Sequence, residues 1–205
     1  MIALVDYDAG NVKSVEKAIE KLGGEYILTS DPSVIEKADA VILPGVGNFG
    51  DCMDKLKSRG LDKAIRSFTL TGKPFLGICV GLQLLFDESE ESPGVPGLGI
   101  LKGKIKRFPA SAELKVPQIG WNNVSSCKGR LFKGIEDGTF FYFVHSYYLD
   151  AADPGIVSSR AEYGVTFDSS VESGNVYATQ FHPEKSSDAG LKVLQNFLDL
   201  VKEVR

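Results

Sequence analysis

Gly77-Ile78-Cys79-Val80-Gly81 places one cysteine between two glycines at the end of an apolar run that begins at Pro74. This is the spacing of a nucleophile elbow with a thiol in place of the hydroxyl. A sharp turn from strand to helix crowds the backbone at its centre, and glycine two positions either side removes the Cβ atoms that would collide. The sulfur would then stand at the positive end of a helix starting at Val80, which favours thiolate over thiol. A small apolar filler of the core is the competing reading, because free cysteine is among the most buried residue types. The pentapeptide alone leaves both open.

A thiol nucleophile needs a base, and His145 and His182 are the only histidines. His182 is followed by Pro183, which biases it to an extended conformation. Residues two apart on an extended chain project to the same side, so Glu184 can reach one nitrogen of the His182 ring and leave the other for the thiol. Nucleophile, base and orienting carboxylate are the parts of a triad. A surface His-Pro turn beside an unrelated glutamate would carry the same letters.

A third stretch, Gly45-Val46-Gly47-Asn48-Phe49-Gly50, fits G-x-G-x-x-G after a strand. A dinucleotide site is disfavoured because the stretch follows the third strand rather than the first. The acidic residue expected about 20 positions onward is also missing from residues 65–77. The glycines better suit a mobile loop whose N–H groups, with that of Val80, face a developing oxyanion. A tight turn with nothing bound is the alternative.

The elements that must hold these residues read as an alternation in the first half. Residues 2–7, 25–29, 40–45 and 74–79 are short apolar runs. Helical spacing separates them at 11–24, 31–39 and 51–71, with a break near Gly60, and a helix is expected over 80–88. Such alternation predicts a mostly parallel central sheet with helices on both faces, a flavodoxin-like α/β architecture. Residues 103–109, 140–149, 157–164, 165–173 and 175–181 are strand-like, with turns at Asp137-Gly138 and Gly174-Asn175. They predict antiparallel strands extending the sheet, and residues 186–205 close the chain as an amphipathic helix.

Neither a linker nor a repeat interrupts the 205 residues, and one domain spanning 1–205 is expected. A net charge of −4 argues against a general grip on nucleic acid or anionic lipid. No apolar run nears the ~20 residues that span a bilayer. The first ten residues show no basic leader, and Cys52, Cys79 and Cys127 are odd in number and widely spaced. Reduced thiols in a cytoplasmic protein follow, with no disulfide framework, metal or cofactor expected.

Three stretches together, "LPGVGNFG", "GICVGLQLLF" and "FHPEKS", resemble the class I (triad) glutamine amidotransferases. The likeness runs from "DYDAGN" through "IGWNNV" and "YFVHSYY" to the last helix. It implies that Cys79 attacks the side-chain amide of glutamine, that His182 serves as general base and acid, and that Glu184 orients His182. Val46, Gly47 and Val80 would form the oxyanion hole. Gly47, Gln83, Glu91, Ser146 and Tyr147 match positions that hold the substrate; a solvated helix residue is the other reading for Gln83, and a helix end for Glu91.

"PGVG", "GWN" and "VHSYY" are most similar to members that pass ammonia to a separate (βα)8-barrel cyclase for imidazole ring formation in histidine biosynthesis. By that resemblance Asn11, Trp121, Tyr142 and Lys185 lie at the subunit interface, with ordinary core packing the alternative for the two aromatics. His145 is either a structural histidine or a residue of substrate access. Cys52 and Cys127 are expected to be inert, and Lys102–Arg107 to be a solvated strand face. A glutaminase serving another acceptor and a non-catalytic flavodoxin-like binder are the competing functions.

Overall fold

Strands buried on both faces need apolar residues at every position, and three of the predicted runs meet that demand over Ile2–Val5, Ala40–Gly45 and Phe75–Cys79, whereas Tyr26–Thr29 is a half-exposed edge. The computed structural model of the chain describes residues 1–9, 11–110 and 114–204; Gly10 of the "DYDAGN" stretch and the terminal Arg205 lie outside them. In chain order the first half runs β1 (Ile2–Val5), α1 (Val12–Lys21), β2 (Tyr26–Thr29), α2 (Pro32–Lys37) and β3 (Ala40–Gly45). It continues through α3 (Phe49–Ser58), α4 (Leu61–Thr69), β4 (Phe75–Cys79) and α5 (Val80–Gln83). The second half holds β5 (Glu88–Ser89), β6 (Gly103–Arg107), β7 (Gln118–Ser125), β8 (Phe140–His145) and β9 (Tyr147–Ala151). β10 (Val157–Glu162), β11 (Thr166–Ser173), β12 (Val176–Thr179) and α6 (Ser187–Glu203) complete it.

The sheet order is β2-β1-β3-β4-β12-β11-β10-β7-β8, with β5, β6 and β9 branching from it. β2, β1, β3, β4 and β12 are mutually parallel. The remaining long strands pair antiparallel. From β1 the chain moves to one side to form β2, then reverses to β3 and β4. Right-handed crossovers therefore place α1 on one face and α2, α3 and α4 on the other. Packing agrees: α1 meets α6, whereas α4 meets α2 and α3. Among the described residues no helix is long and apolar enough to cross a membrane.

The elbow forms as its glycines demand. A Cβ on Gly81 would meet the Leu43 carbonyl oxygen at 2.0 Å, and one on Gly77 would meet the Gly81 oxygen at 2.7 Å. Between them Cys79 takes φ +56°, a conformation that an L-residue adopts only at a cost.

Three expectations need correction. The helix after Cys79 ends at Gln83 instead of continuing to Glu88. Every residue from Val80 to Phe86 is buried, and the carbonyls of Leu84, Leu85, Phe86 and Asp87 accept from N–H groups of residues 97–101. That distant segment supplies the donors a continuing helix would have used. Four residues make a weak dipole, so helix electrostatics contribute less at the sulfur than predicted. Second, the strand-like run 175–181 does not carry through to His182: β12 stops at Thr179, and His182 precedes the 3-10 turn Pro183–Lys185. Third, the run 140–149 divides at Ser146 into β8 and β9, and β7, rich in Gly and Asn, emerges where no strand was predicted.

Candidate active site

Cys79 pairs in register with Gly45 at the end of β3, and β12 lies on its other side with Thr179 opposite Ile78. The thiol is therefore carried to the carboxyl end of the parallel strands, where open α/β sheets keep their crevices. β12 ends at Thr179, and the chain bends at Gln180 and Phe181 before His182, whose own backbone is extended. Phe181 is fully buried and stacks on Phe141 with ring centroids 4.1 Å apart. With Phe181 anchored in the core, Gln180 reaches Cys79 Sγ at 3.7 Å and His182 faces the cavity that the sulfur lines. Cys79 and His182, 103 positions apart along the chain, line the same cavity of about 420 Å³.

His182 Nδ1 lies 2.7 Å from Glu184 Oε1, and both side chains are only 2% exposed. An extended His-Pro-Glu predicts the pairing; it is made instead across a 3-10 turn, which brings the carboxylate back under the ring. Burial opposes charge on His182, but the Cys79 sulfur and then the Glu184 carboxylate outweigh it and raise the ring's pKa from 6.5 to about 10. Nε2 makes no completed hydrogen bond among the described residues, although Cys79 is close enough to raise its basicity. A ring so placed can act as a base toward the sulfur. Cys79 itself is 3% exposed and reaches the Val144 carbonyl at 3.9 Å and the Gln180 side-chain nitrogen at 3.7 Å.

Val46, Gly47 and Val80 line the cavity beside the sulfur. Gly47 has φ +103° with nothing within 4 Å of a Cβ built on it, so room does not exclude a side chain there but backbone conformation does. The Val46 carbonyl accepts from the Cys52 thiol at 3.6 Å and the Pro44 carbonyl from Tyr7 Oη at 3.0 Å, which fixes the loop's peptide planes from the α3 side.

Gln83, Glu91, Ser146 and Tyr147 line the same space. Gln83 is buried, not solvated, and donates to the Tyr147 carbonyl at 3.1 Å. Glu91 lies beyond β5 rather than at a helix end, and accepts from the Phe49 N–H at 2.7 Å. Burial raises its pKa, and that N–H partly offsets the effect.

His145 lines the cavity, and both of its ring nitrogens are engaged by neighbours. Its Nδ1 lies 2.8 Å from the Tyr147 carbonyl and Nε2 2.9 Å from the side-chain amide of Gln118. Burial lowers its pKa from 6.5 to about 4, so the ring is neutral and pins β7, β8 and β9 together. Burial pushes the Cys52 thiol up to about 11 and the Cys127 thiol up to about 12, in line with inert thiols. Lys102, Lys104 and Lys106 pair with Asp87, Glu88 and Asp150 on an exposed strand face.

Trp121 and Tyr142 are cross-strand partners that meet edge to face, with centroids 6.3 Å apart, and Lys185 Nζ stands 6.0 Å over the Tyr142 ring. Neither aromatic is core: Trp121 is 51% exposed and Tyr142 half-buried. Asn11 is exposed at the start of α1. Sequence reasoning missed Ile119 and Phe140, which extend this apolar face at 61% and 56% exposure. The only local signal was Ile119 and Trp121 two apart, which Gly120, Asn122 and Asn123 around them obscure. It also missed Ser186, fully buried, whose hydroxyl donates to the His182 carbonyl and accepts from the Tyr142 N–H, while the His182 N–H donates to the Tyr142 carbonyl.

Comparison with known proteins decides the family. The model of the glutamine amidotransferase class-I family matches residues 3–201. The chain belongs to the class-I glutamine amidotransferases. It is accordingly an enzyme of glutamine hydrolysis and amide-nitrogen transfer. A relative from Dehalococcoides mccartyi named imidazole glycerol phosphate synthase subunit HisH is 54% identical, over 98% of this chain and 97% of that protein. A subunit of the same name from Methanothermobacter thermautotrophicus is 48% identical, over 98% and 100%. Among solved structures, a glutamine amidotransferase at 21% identity superposes with a TM-score of 0.76 over 98% of this chain and all of that one, which speaks for the fold.

Proposed function

We propose that this chain is the glutaminase subunit of an imidazole glycerol phosphate synthase, working in the cytoplasm as one domain. The observation that carries the chemistry is the shared cavity of Cys79 and His182, with Glu184 2.7 Å behind the ring. The Cys79 thiolate adds to the side-chain carbonyl carbon of glutamine. The oxyanion is met by N–H groups of Gly47 or Val46 and of Val80, each donor worth roughly 3 kcal/mol in the transition state. His182 gives its proton to the departing nitrogen, ammonia leaves, and a γ-glutamyl thioester remains. Water, deprotonated by His182, then releases glutamate and restores the thiol. Glu184 keeps the reacting nitrogen turned to the sulfur throughout.

Among the described residues Glu91 is the one carboxylate lining the cavity, and it suits the α-ammonium of an amino acid; Gln83, Ser146 and Tyr147 supply neutral polar contacts. The ammonia acceptor is supported by the names of the two relatives and by the apolar face of Ile119, Trp121, Phe140 and Tyr142 beside the cavity. A (βα)8-barrel cyclase docked there, touching Asn11 and Lys185 as well, would receive ammonia without its passing through water, where it is largely protonated. The test is glutamate release by the chain with and without such a cyclase and its ligand. Release rising by orders of magnitude on addition, and vanishing in Cys79→Ala, is the expected result. Equal activity for the lone chain would remove the partner from the account.

A further inference from the structure

Spacing gives Gln180 no role, yet it is fully buried between the sulfur and Gln83. Its side-chain nitrogen lies 3.7 Å from Cys79 Sγ, and its oxygen accepts from Gln83 Nε2 at 3.0 Å. Which end of a buried amide faces which neighbour is settled by the network around it. The chain of contacts ends on a group with one possible sense: the Tyr147 backbone carbonyl accepts and never donates. The Gln83 atom 3.1 Å from it must be the nitrogen. That same nitrogen faces Gln180, which must answer with its oxygen. Gln180 is left with only its amino group for the sulfur. The Tyr147 carbonyl is held in turn by His145 Nδ1 at 2.8 Å, so the anchor is fixed from the opposite side.

A thiol sulfur is a weak acceptor, and a thiolate a strong one. A fully buried amino group aimed at sulfur is therefore poorly satisfied while Cys79 keeps its proton and well satisfied once the proton leaves. We propose that Gln180 is a catalytic residue that stabilises the Cys79 thiolate through a donor whose direction is set by Gln83 and the Tyr147 carbonyl. The proposal deepens the glutaminase reading and rests on it. It also gives Gln83 a second task, since the residue placed in the substrate pocket orients the group that activates the nucleophile. This charge-assisted bond compensates for a four-residue helix whose dipole is too short to hold the thiolate alone.

The test uses iodoacetamide, a probe that reads the thiolate without needing a bound amino acid. In the full chain, Gln180→Met keeps approximate volume and removes the donor. Alkylation of Cys79 at neutral pH is expected to fall by about tenfold or more and to recover at high pH, with kcat falling in parallel and KM changing little. Gln180→Glu, which sets a carboxylate beside the sulfur, is expected to fall further. Gln83→Met, which releases the amide to turn, is expected to slow alkylation as well, and it reads the proposal if the Gln180 variants fail to fold. Folded variants that alkylate at the wild-type rate would overturn the proposal. Glutamine hydrolysis persisting in Cys79→Ser would instead overturn the parent reading, so the two failures are separable.

Discussion

Glu184 accepts one hydrogen bond from a ring that is almost wholly buried, and after the Cys79 sulfur it is the group that does most to raise the basicity of His182. The substitution Glu184→Gln keeps the shape and loses the charge, so kcat should fall about 10³-fold or more with KM little changed. Because the folded pKa of His182 is raised, its imidazolium persists through neutral pH and is lost as pH rises through about 10. The alkaline limb of the kcat/KM profile should lie there, and should move to lower pH in Glu184→Gln. At this scale the sequence pointed to Cys79, His182 and Glu184, which the fold brings together, because glycine, proline and a two-residue offset each have a local physical effect. Gln180 was not, since its contacts lie 101 and 97 positions away and depend on the register of β4 against β12.

Elements position these groups through close backbone approach and through buried pins. A methyl group at position 81 has the Leu43 carbonyl oxygen 2.0 Å away, so Gly81→Ala must push α5 off β3. A cost of roughly 3 kcal/mol would lower Tm by about 10 °C and spoil the elbow, measurable by calorimetry and by loss of hydrolysis. His145 pins three strands as a neutral ring whose folded pKa, about 4, lies below its unfolded value of 6.5. As pH falls from 6.5 towards 4 the unfolded chain takes up the proton first, so stability declines by up to roughly 3 kcal/mol. Denaturant titrations should show that decline in the wild type and a shallower one in His145→Gln. The alternation of strand and helix was readable because apolar runs and amphipathic stripes carry their own periods. The early end of α5 was not, because its competing hydrogen-bond donors come from residues 97–101 and a local window cannot see them. β7 escaped notice for a different reason: Gly120, Asn122 and Asn123 argue against a strand, and pairing with β8 overrides them.

Across the whole molecule, the apolar face of β7 and β8 and the triad share a seam. The His182 N–H donates to the Tyr142 carbonyl, and Ser186 ties both residues to the same turn. A partner docked on Trp121 and Tyr142, as proposed, would thus be mechanically continuous with His182. The double variant Ile119→Ala, Trp121→Ala should weaken cyclase binding by about 2 kcal/mol or more, roughly 30-fold in Kd by titration calorimetry, with Tm nearly unchanged. The face was only half legible: two of its aromatics were picked out by resemblance, but exposure depends on which side of the sheet the rest of the chain covers. The central claim is that Cys79 is the nucleophile for the glutamine amide, and labelling with a γ-glutamyl diazo-ketone in the presence of the cyclase tests it most directly. Peptide mass spectrometry should find a single adduct on Cys79, suppressed by excess glutamine and greatly slowed in His182→Ala. An unlabelled Cys79 in a complex that still turns glutamine into glutamate would contradict the account.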